Sequence, residues 1–425
     1  MNSQRESLTR AIGTLGLAAG IINITIGGGI FRLPADVAGK LGAAAPIAYI
    51  VCAVAMGLIV VCIAEAGKRV TLTGGPYAYV ETVFGPYAGF ISGVLLWMLG
   101  TFATAAVSTL LASSIGLLVP ATSGWLAQAA ILVTAFTFWS VINLRGVTLG
   151  VQLITLATLA KLFPLILIAV GGAFYVRSEN FVMAVAPSAT DIARTSLILI
   201  FAFAGIESAL IPSGEVKDSE RTVPRAIAAA MIGITTLYIA LQMVAQGILG
   251  DGLRLATTSP LADAAGASMG GWARSLLLAG AAISMFGYLG GMTLSMPRIV
   301  YALARDRFLP HQLAEIHPVY RTPQAAIVFQ AALTLVLAIS GTFEKLAIFA
   351  NVSALALYFG CAAAAWRVGQ SPIVPALACG VILWLLTGLT PDEWLGFGAC
   401  IVVASLVYLA RQSAVERKKG SGPVF

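Results

Sequence analysis

Histidine is almost missing from this sequence. Only His311 and His317 occur in 425 residues, and both fall between apolar segments. No hydrolase with a histidine base and no histidine-ligated metalloprotease can therefore be assembled inside those segments. The five cysteines, Cys52, Cys62, Cys361, Cys379 and Cys400, show no Cys-x-x-Cys or His-linked spacing, so neither a zinc site nor a disulfide framework is indicated. A Walker sequence is also missing, which removes nucleotide hydrolysis. Charge is scarce too, at 10% of the chain against ~25% in soluble domains. We expect no catalytic residue, no metal and no cofactor, and the chain is not an enzyme.

Hydrophobic residues make up 59% of the sequence, in long unbroken runs rich in Gly, Ala, Leu and Ile. Runs of ~20 apolar residues read as membrane-spanning helices, and the ~10-residue alternation of an outer-membrane barrel is not seen. Twelve spans are expected, at 11–34, 44–66, 85–118, 125–143, 149–176, 193–213, 224–250, 271–304, 323–341, 343–368, 372–390 and 394–411. The fold class is an all-α polytopic membrane protein. Spans 11–34 and 394–411 leave short tails, 1–10 and 412–425, on one side of the bilayer. The first apolar run has no small-residue cleavage site and outlasts a signal-peptide core, so it is expected to stay attached as span 1.

The net charge of +7 would point to nucleic acid in a soluble protein. Here it reports topology. Arg5, Arg10, Lys68, Arg69, Arg145, Arg305 and most other basic residues fall on the side of the tails, with a minority, Lys40, Arg177 and Arg254 among them, opposite. The positive-inside rule then places both termini in the cytoplasm, in a cytoplasmic or plasma membrane. The bilayer is a partner and nucleic acid is not.

Ionisable groups in the hydrocarbon core cost ~2.5–3.5 kcal/mol each on insertion scales and are functional candidates for that reason. Lys161 lies in the middle of span 5 and Glu207 within span 6. A buried ion fixing helix packing, or one snorkelling to the interface, is the competing reading for each. Arg32, Glu65 and Arg298 stand at span ends, where interfacial anchoring accounts for them at least as well as function does.

Span 1 contains Ile26-Gly27-Gly28-Gly29-Ile30-Phe31. Three consecutive glycines cost ~1 kcal/mol each in a helix relative to alanine, and backbone freed at membrane depth survives only where it is buried or lines a cavity. Free N–H groups starting a second half-helix would bind an anion, and free carbonyls ending the first would attract a cation. A close-packing face for another helix is the alternative. Span 6 carries a comparable interruption, Gly205 followed by Pro212 and Gly214. Paired breaks five spans apart point to an inverted-repeat transporter with its site at the midplane. Spans 1–5 (11–176) would form one repeat, spans 6–10 (193–368) the other, and 372–411 two appended helices. No residue-level identity links the halves.

The run Ile26–Phe31 resembles the signature of the amino acid-polyamine-organocation superfamily of permeases. Supporting matches are Thr73-Gly74-Gly75-Pro76-Tyr77, Phe203-Ala204-Gly205-Ile206-Glu207, Glu215-Val216-Lys217, Val223-Pro224-Arg225-Ala226-Ile227, Gly290-Gly291-Met292 and Ala304–Pro310. They run in the family's order from residue 11 to about 325, and beyond 340 only the helix pattern matches. The resemblance implies that a substrate carboxylate meets the amides of Gly28 and Gly29, beside Gly27, and that its amino group meets carbonyls such as those of Thr25, Phe201 and Ala204. Phe201 stands at the family's gate position. Phe201, Met292 and Thr101 replace larger or amidic residues of the arginine–agmatine exchangers, so the cation–π partner for a guanidinium is lost.

A neutral L-amino acid is the substrate this implies, with cationic amino acids and polyamines as runner-up. Lys161 matches a lysine of sodium-independent members, where an ammonium stands in for Na⁺. Lys161 and Glu207 are the coupling candidates, by proton coupling or by exchange, and the sequence leaves that choice open along with the oligomeric state. A channel would need a continuous polar path, and a sensor on the same fold would need a signalling segment for which the tails leave little room.

Overall fold

In hydrocarbon every backbone polar group must be satisfied within the chain, which a helix does and an open strand does not. The computed structural model describes residues 13–69, 76–145, 161–181, 186–205, 219–320, 322–369 and 371–420, and among these no strand occurs. The helices are α1 Thr14–Thr25, α2 Gly29–Leu41, α3 Ala45–Arg69, α4 Pro76–Phe84, α5 Pro86–Leu118 and α6 Trp125–Arg145. They continue with α7 Lys161–Tyr175, α8 Ala189–Phe203, α9 Ser219–Leu249, α10 Pro260–Met269 and α11 Gly271–Arg305. The last four are α12 Gln324–Ser340, α13 Phe343–Val368, α14 Ile373–Leu386 and α15 Pro391–Gly420. Seven stretches among the described residues are long and apolar enough to cross a membrane.

Within the described residues a helix lies in each expected span, span 1 as the pair α1 and α2, span 5 from Lys161 onward as α7 and span 6 up to Phe203 as α8. Three differences have local causes. Span 1 runs on to Leu41 because the helix restarts at Gly29, which puts Pro34 in its second turn at the loss of one backbone hydrogen bond. The turn into α3 is made at Gly42, whose φ of 50° suits a residue without Cβ. Two helices unforeseen in the sequence, α4 and α10, are too short to span. Thr73, Gly74 and Gly75 lie outside the described residues, as do Glu207 and Glu215-Val216-Lys217.

α5 runs through the centre, packed by α13 and α11, while α3 packs on α8, α9 and α13. α15 touches the rest chiefly through α5 and α13, and its Leu395, Val402, Val403 and Leu406 are exposed. Exposed aliphatic faces of this extent fit a lipid surround. α8 is fastened at its start and through its middle. Ser188 and Asp191 form a reciprocal capping box at its start. Arg194 makes a two-pronged pair with Glu393 of α15, at 2.6 and 2.8 Å, and donates to the Gly388 carbonyl at 3.0 Å. Further along, the Asn351 amide of α13 donates to the carbonyls of Leu197 and Ile198.

Candidate binding site between a broken helix and a helix end

α1 ends at Thr25 and α2 begins at Gly29, and the residues between leave the helical ladder. The Gly27 N–H turns back to the Thr25 carbonyl at 2.8 Å, and the Phe31 N–H reaches that of Gly28 at 3.2 Å. Gly28, Gly29 and Ile30 lead the new helix, so their N–H groups have no carbonyl one turn earlier to bond. The positive end of the α2 dipole lies there. The hydroxyl of Thr25 is buried and has no hydrogen-bond partner among the described residues.

α8 stops in a matching way. Ala204 caps it with extended backbone, ψ 141°, and Gly205 follows at φ 110°, a region that penalises any side chain. The two breaks meet. A Cβ built on Gly29 would stand 3.0 Å from Cδ1 of Phe201 and 3.3 Å from the Ala202 Cα. One on Gly28 would stand 3.3 Å from Val107 and 3.5 Å from Met285, whereas Gly27 meets only the Thr25 carbonyl, at 3.9 Å. The glycines therefore do both things the sequence left open: they interrupt the helix, and two of them admit neighbouring helices at close range.

Phe201 is half-buried and meets Phe343 of α13 edge-on, ring centroids 5.5 Å apart. Its ring thus lies between the α2 start and α13. The side chains brought to the break, Thr25, Val107, Phe201, Met285 and Tyr238, carry no charge. Lys161 opens the described part of α7 and is only 7% exposed, rare for a lysine. One turn on, Pro164 packs against Gly280 of α11.

Thr101 is engaged with another helix. Thr101 accepts a hydrogen bond from Gln330 of α12 at 3.0 Å. At 100° per residue it is turned away from the α5 face that carries Gly100, against Met296, and Val107, against Gly28. Met292 lies two turns along α11 from Met285, the residue that reaches the break.

Sequence reasoning missed the residues that tie the breaks together. The Tyr238 hydroxyl of α9 lies 2.9 Å from the Ala202 carbonyl and 3.3 Å from that of Thr25. One turn on, Gln242 donates to the Pro34 carbonyl at 3.4 Å and accepts from Tyr49 at 3.0 Å. A further turn on, Gln246 donates to the Gly250 carbonyl at 3.3 Å. The signal was present: Tyr238, Gln242 and Gln246 recur every fourth residue, a polar stripe in the otherwise apolar last part of α9, residues 237–249.

Comparison with known proteins shows the family. Residues 12–411 match the amino acid permease family. The chain is 32% identical over 359 residues to the serine/threonine exchanger SteT of Bacillus subtilis, covering 81% of this chain and 80% of that protein. It is 25% identical over 441 residues to the methylthioribose transporter of the same organism, covering 96% and 94%. An uncharacterized transporter of Mycobacterium tuberculosis is 27% identical over 427 residues, covering 97% and 94%.

Proposed function

The chain belongs to the amino acid permease family, and on that premise we propose that it exchanges neutral L-amino acids across the membrane without Na⁺. The observation that carries the reading is a break whose described side chains are uncharged. Amides lead α2 at Gly28 and Gly29, Phe201 lies against them, and carbonyls and a spare hydroxyl end α1 at Thr25. A zwitterion needs a donor set for its carboxylate and an acceptor set for its ammonium, and the two half-helix ends supply these with opposite dipoles.

Val107 and Met285 beside Gly28 leave an apolar wall for a small side chain, and among the described residues at the break none is acidic; Glu207, the one acidic candidate of the sequence there, lies outside them. A serine/threonine exchanger among the relatives supports both the small neutral substrate and the exchange mode. In this reading 11–176 and 193–368 are the two repeats, Phe201 is the gate, and the Lys161 ammonium takes the place of a sodium ion. The termini face the cytoplasm, so the turn at Gly42 and helix α10 face outside.

Proteoliposome counterflow tests it. Labelled serine, threonine or alanine should accumulate against a preloaded unlabelled neutral amino acid, saturably and equally in sodium and choline media. Uptake of methylthioribose with no amino acid exchange would replace this substrate class, and an unsaturable ion current would replace the carrier by a channel.

A further inference from the structure

Arg32 stands at an expected span end in the sequence, where anchoring at the interface accounts for it. In the structure it lies one turn inside α2, and its surroundings do not fit an anchor. A cation one turn from the positive end of a helix is electrostatically uphill. Among the described residues its Nε is buried with no hydrogen-bond partner, as is Oδ2 of Asp36, and the two are 3.8 Å apart, an ion pair with no hydrogen bond between these atoms. Buried unpartnered polar atoms are uncommon and call for a cause.

Arg32 also lines a narrow cleft between α2, α5, α10 and α11. Ser114 and Ser259 contribute hydroxyl-bearing side chains to it, Leu110 and Leu277 apolar ones, and Met285 belongs to its wall. Met285 is the same side chain that reaches Gly28, so the cleft ends beside the break. Gly28, Arg32 and Asp36 are spaced by four, which sets them along one face of the helix at intervals of ~6 Å. That face leads from the break toward Gly42 and the side opposite the termini.

We propose that Arg32 is a docking subsite for the α-carboxylate of an amino acid arriving from the side opposite the chain termini. The carboxylate pairs with the guanidinium first, with the ammonium directed one turn outward to Asp36. It then moves one helical turn inward to the amides of Gly28 and Gly29. The narrowness of the cleft limits this first contact to a small zwitterion and requires α2 and α11 to part as it enters. The uphill placement of the cation thereby gains a function: it adds to the α2 dipole an attraction that only an anionic group satisfies. This step rests on the amino acid reading above.

The test is sidedness. The full chain is reconstituted in vesicles sorted by which way the termini face. The apparent affinity for a transported amino acid is then measured from each face, for the parent, Arg32→Gln and Arg32→Lys. The expected result is that Arg32→Gln weakens affinity from the face opposite the termini about tenfold or more, the scale of a charge-assisted hydrogen bond. Arg32→Lys should lose less, and the affinity from the termini side should stay at the parental value in both. An equal shift at both faces, or no shift, overturns the docking step.

If Arg32→Gln does not insert, Arg32→Lys and Ser114→Val carry the same comparison, the latter by narrowing the cleft without altering charge. A parent that exchanges amino acids while these variants leave the ratio between the faces unchanged removes the docking step alone. A parent that exchanges no amino acid removes the functional reading and this step with it.

Discussion

The hydroxyl of Tyr238 lies 3.3 Å from the carbonyl oxygen of Thr25, the last residue of α1, and its one proton is also within reach of the Ala202 carbonyl, at 2.9 Å. Carbonyls in the last turn of a helix have no intrahelical donor. One side chain of α9 thus serves two such ends, one from each broken helix, and ties the movements of α1 and α8 to a common point. Tyr238→Phe keeps the ring and removes the bridge. We expect a stability loss of ~1 kcal/mol, the net value of one hydrogen bond, and a larger fall in exchange rate than in substrate affinity. Thermal unfolding in detergent and counterflow on the same preparation check this. Parental turnover would show that the bridge is a packing detail.

The three glycines should respond in order of the space around them. Gly27→Ala meets open space and should exchange near the parental rate. Gly28→Ala asks Val107 and Met285 to give by a few tenths of an ångström. Gly29→Ala drives a methyl against Phe201 and the Ala202 backbone and should lose most binding. Binding and flux measured across the series test the site, and an equal loss at all three would point to helix disruption instead.

Lys161 is buried, and a buried ammonium at the centre of a span needs acceptors held nearby. Replacing Na⁺ with choline should leave the parent unaffected. Lys161→Ala should lose most exchange, with turnover falling more than affinity, while Lys161→Arg should keep exchange because the charge remains. Loss confined to uptake driven by a pH gradient in Lys161→Arg would move the reading to proton coupling, and a sodium requirement in the parent would remove the lysine from this role.

Phe201 and Phe343 form one edge-on pair, and such pairs contribute ~0.5–1.5 kcal/mol beyond their buried area. Phe201→Ala should cut exchange strongly while binding survives in weakened form, and Phe343→Leu should do the same to a lesser degree. In competition, neutral amino acids should displace the substrate whereas arginine and agmatine fail. Displacement by agmatine at similar concentration would move the substrate class to cations.

The pair of Arg194 with Glu393 is mostly shielded, 18% and 17% of the side chains being exposed. Its loss should cost between the ~1 kcal/mol of an exposed pair and the ~3–5 kcal/mol of a fully buried one. Arg194→Ala should cost more than Glu393→Gln, because the guanidinium also holds the Gly388 carbonyl. Thermal unfolding of both variants ranks them.

Composition and periodicity by themselves determined that this chain is a bundle of spanning helices, because a long apolar run in hydrocarbon has few other ways to pair its backbone. They also located the interruption of span 1 and the place where α8 ends, since three glycines in α1–α2 and Gly205 carry a local cost that does not depend on neighbours. Gly205 takes a positive φ in the structure, as a helix-breaking glycine would. Which side chains face those breaks was decided only by tertiary packing. Thr101 and Val107 are six residues apart on one helix, yet one bonds Gln330 and the other meets Gly28, because rotation about α5 is set by what packs on each face. Packing also decides that Met285 reaches the break, Met292 lying on the same face two turns along, and that the partners of Tyr238 come from α1 and α8. Hydrogen bonds across such distances in sequence, like the ion pair from Arg194 to Glu393, depend on where whole helices are placed, and local sequence carries no record of that.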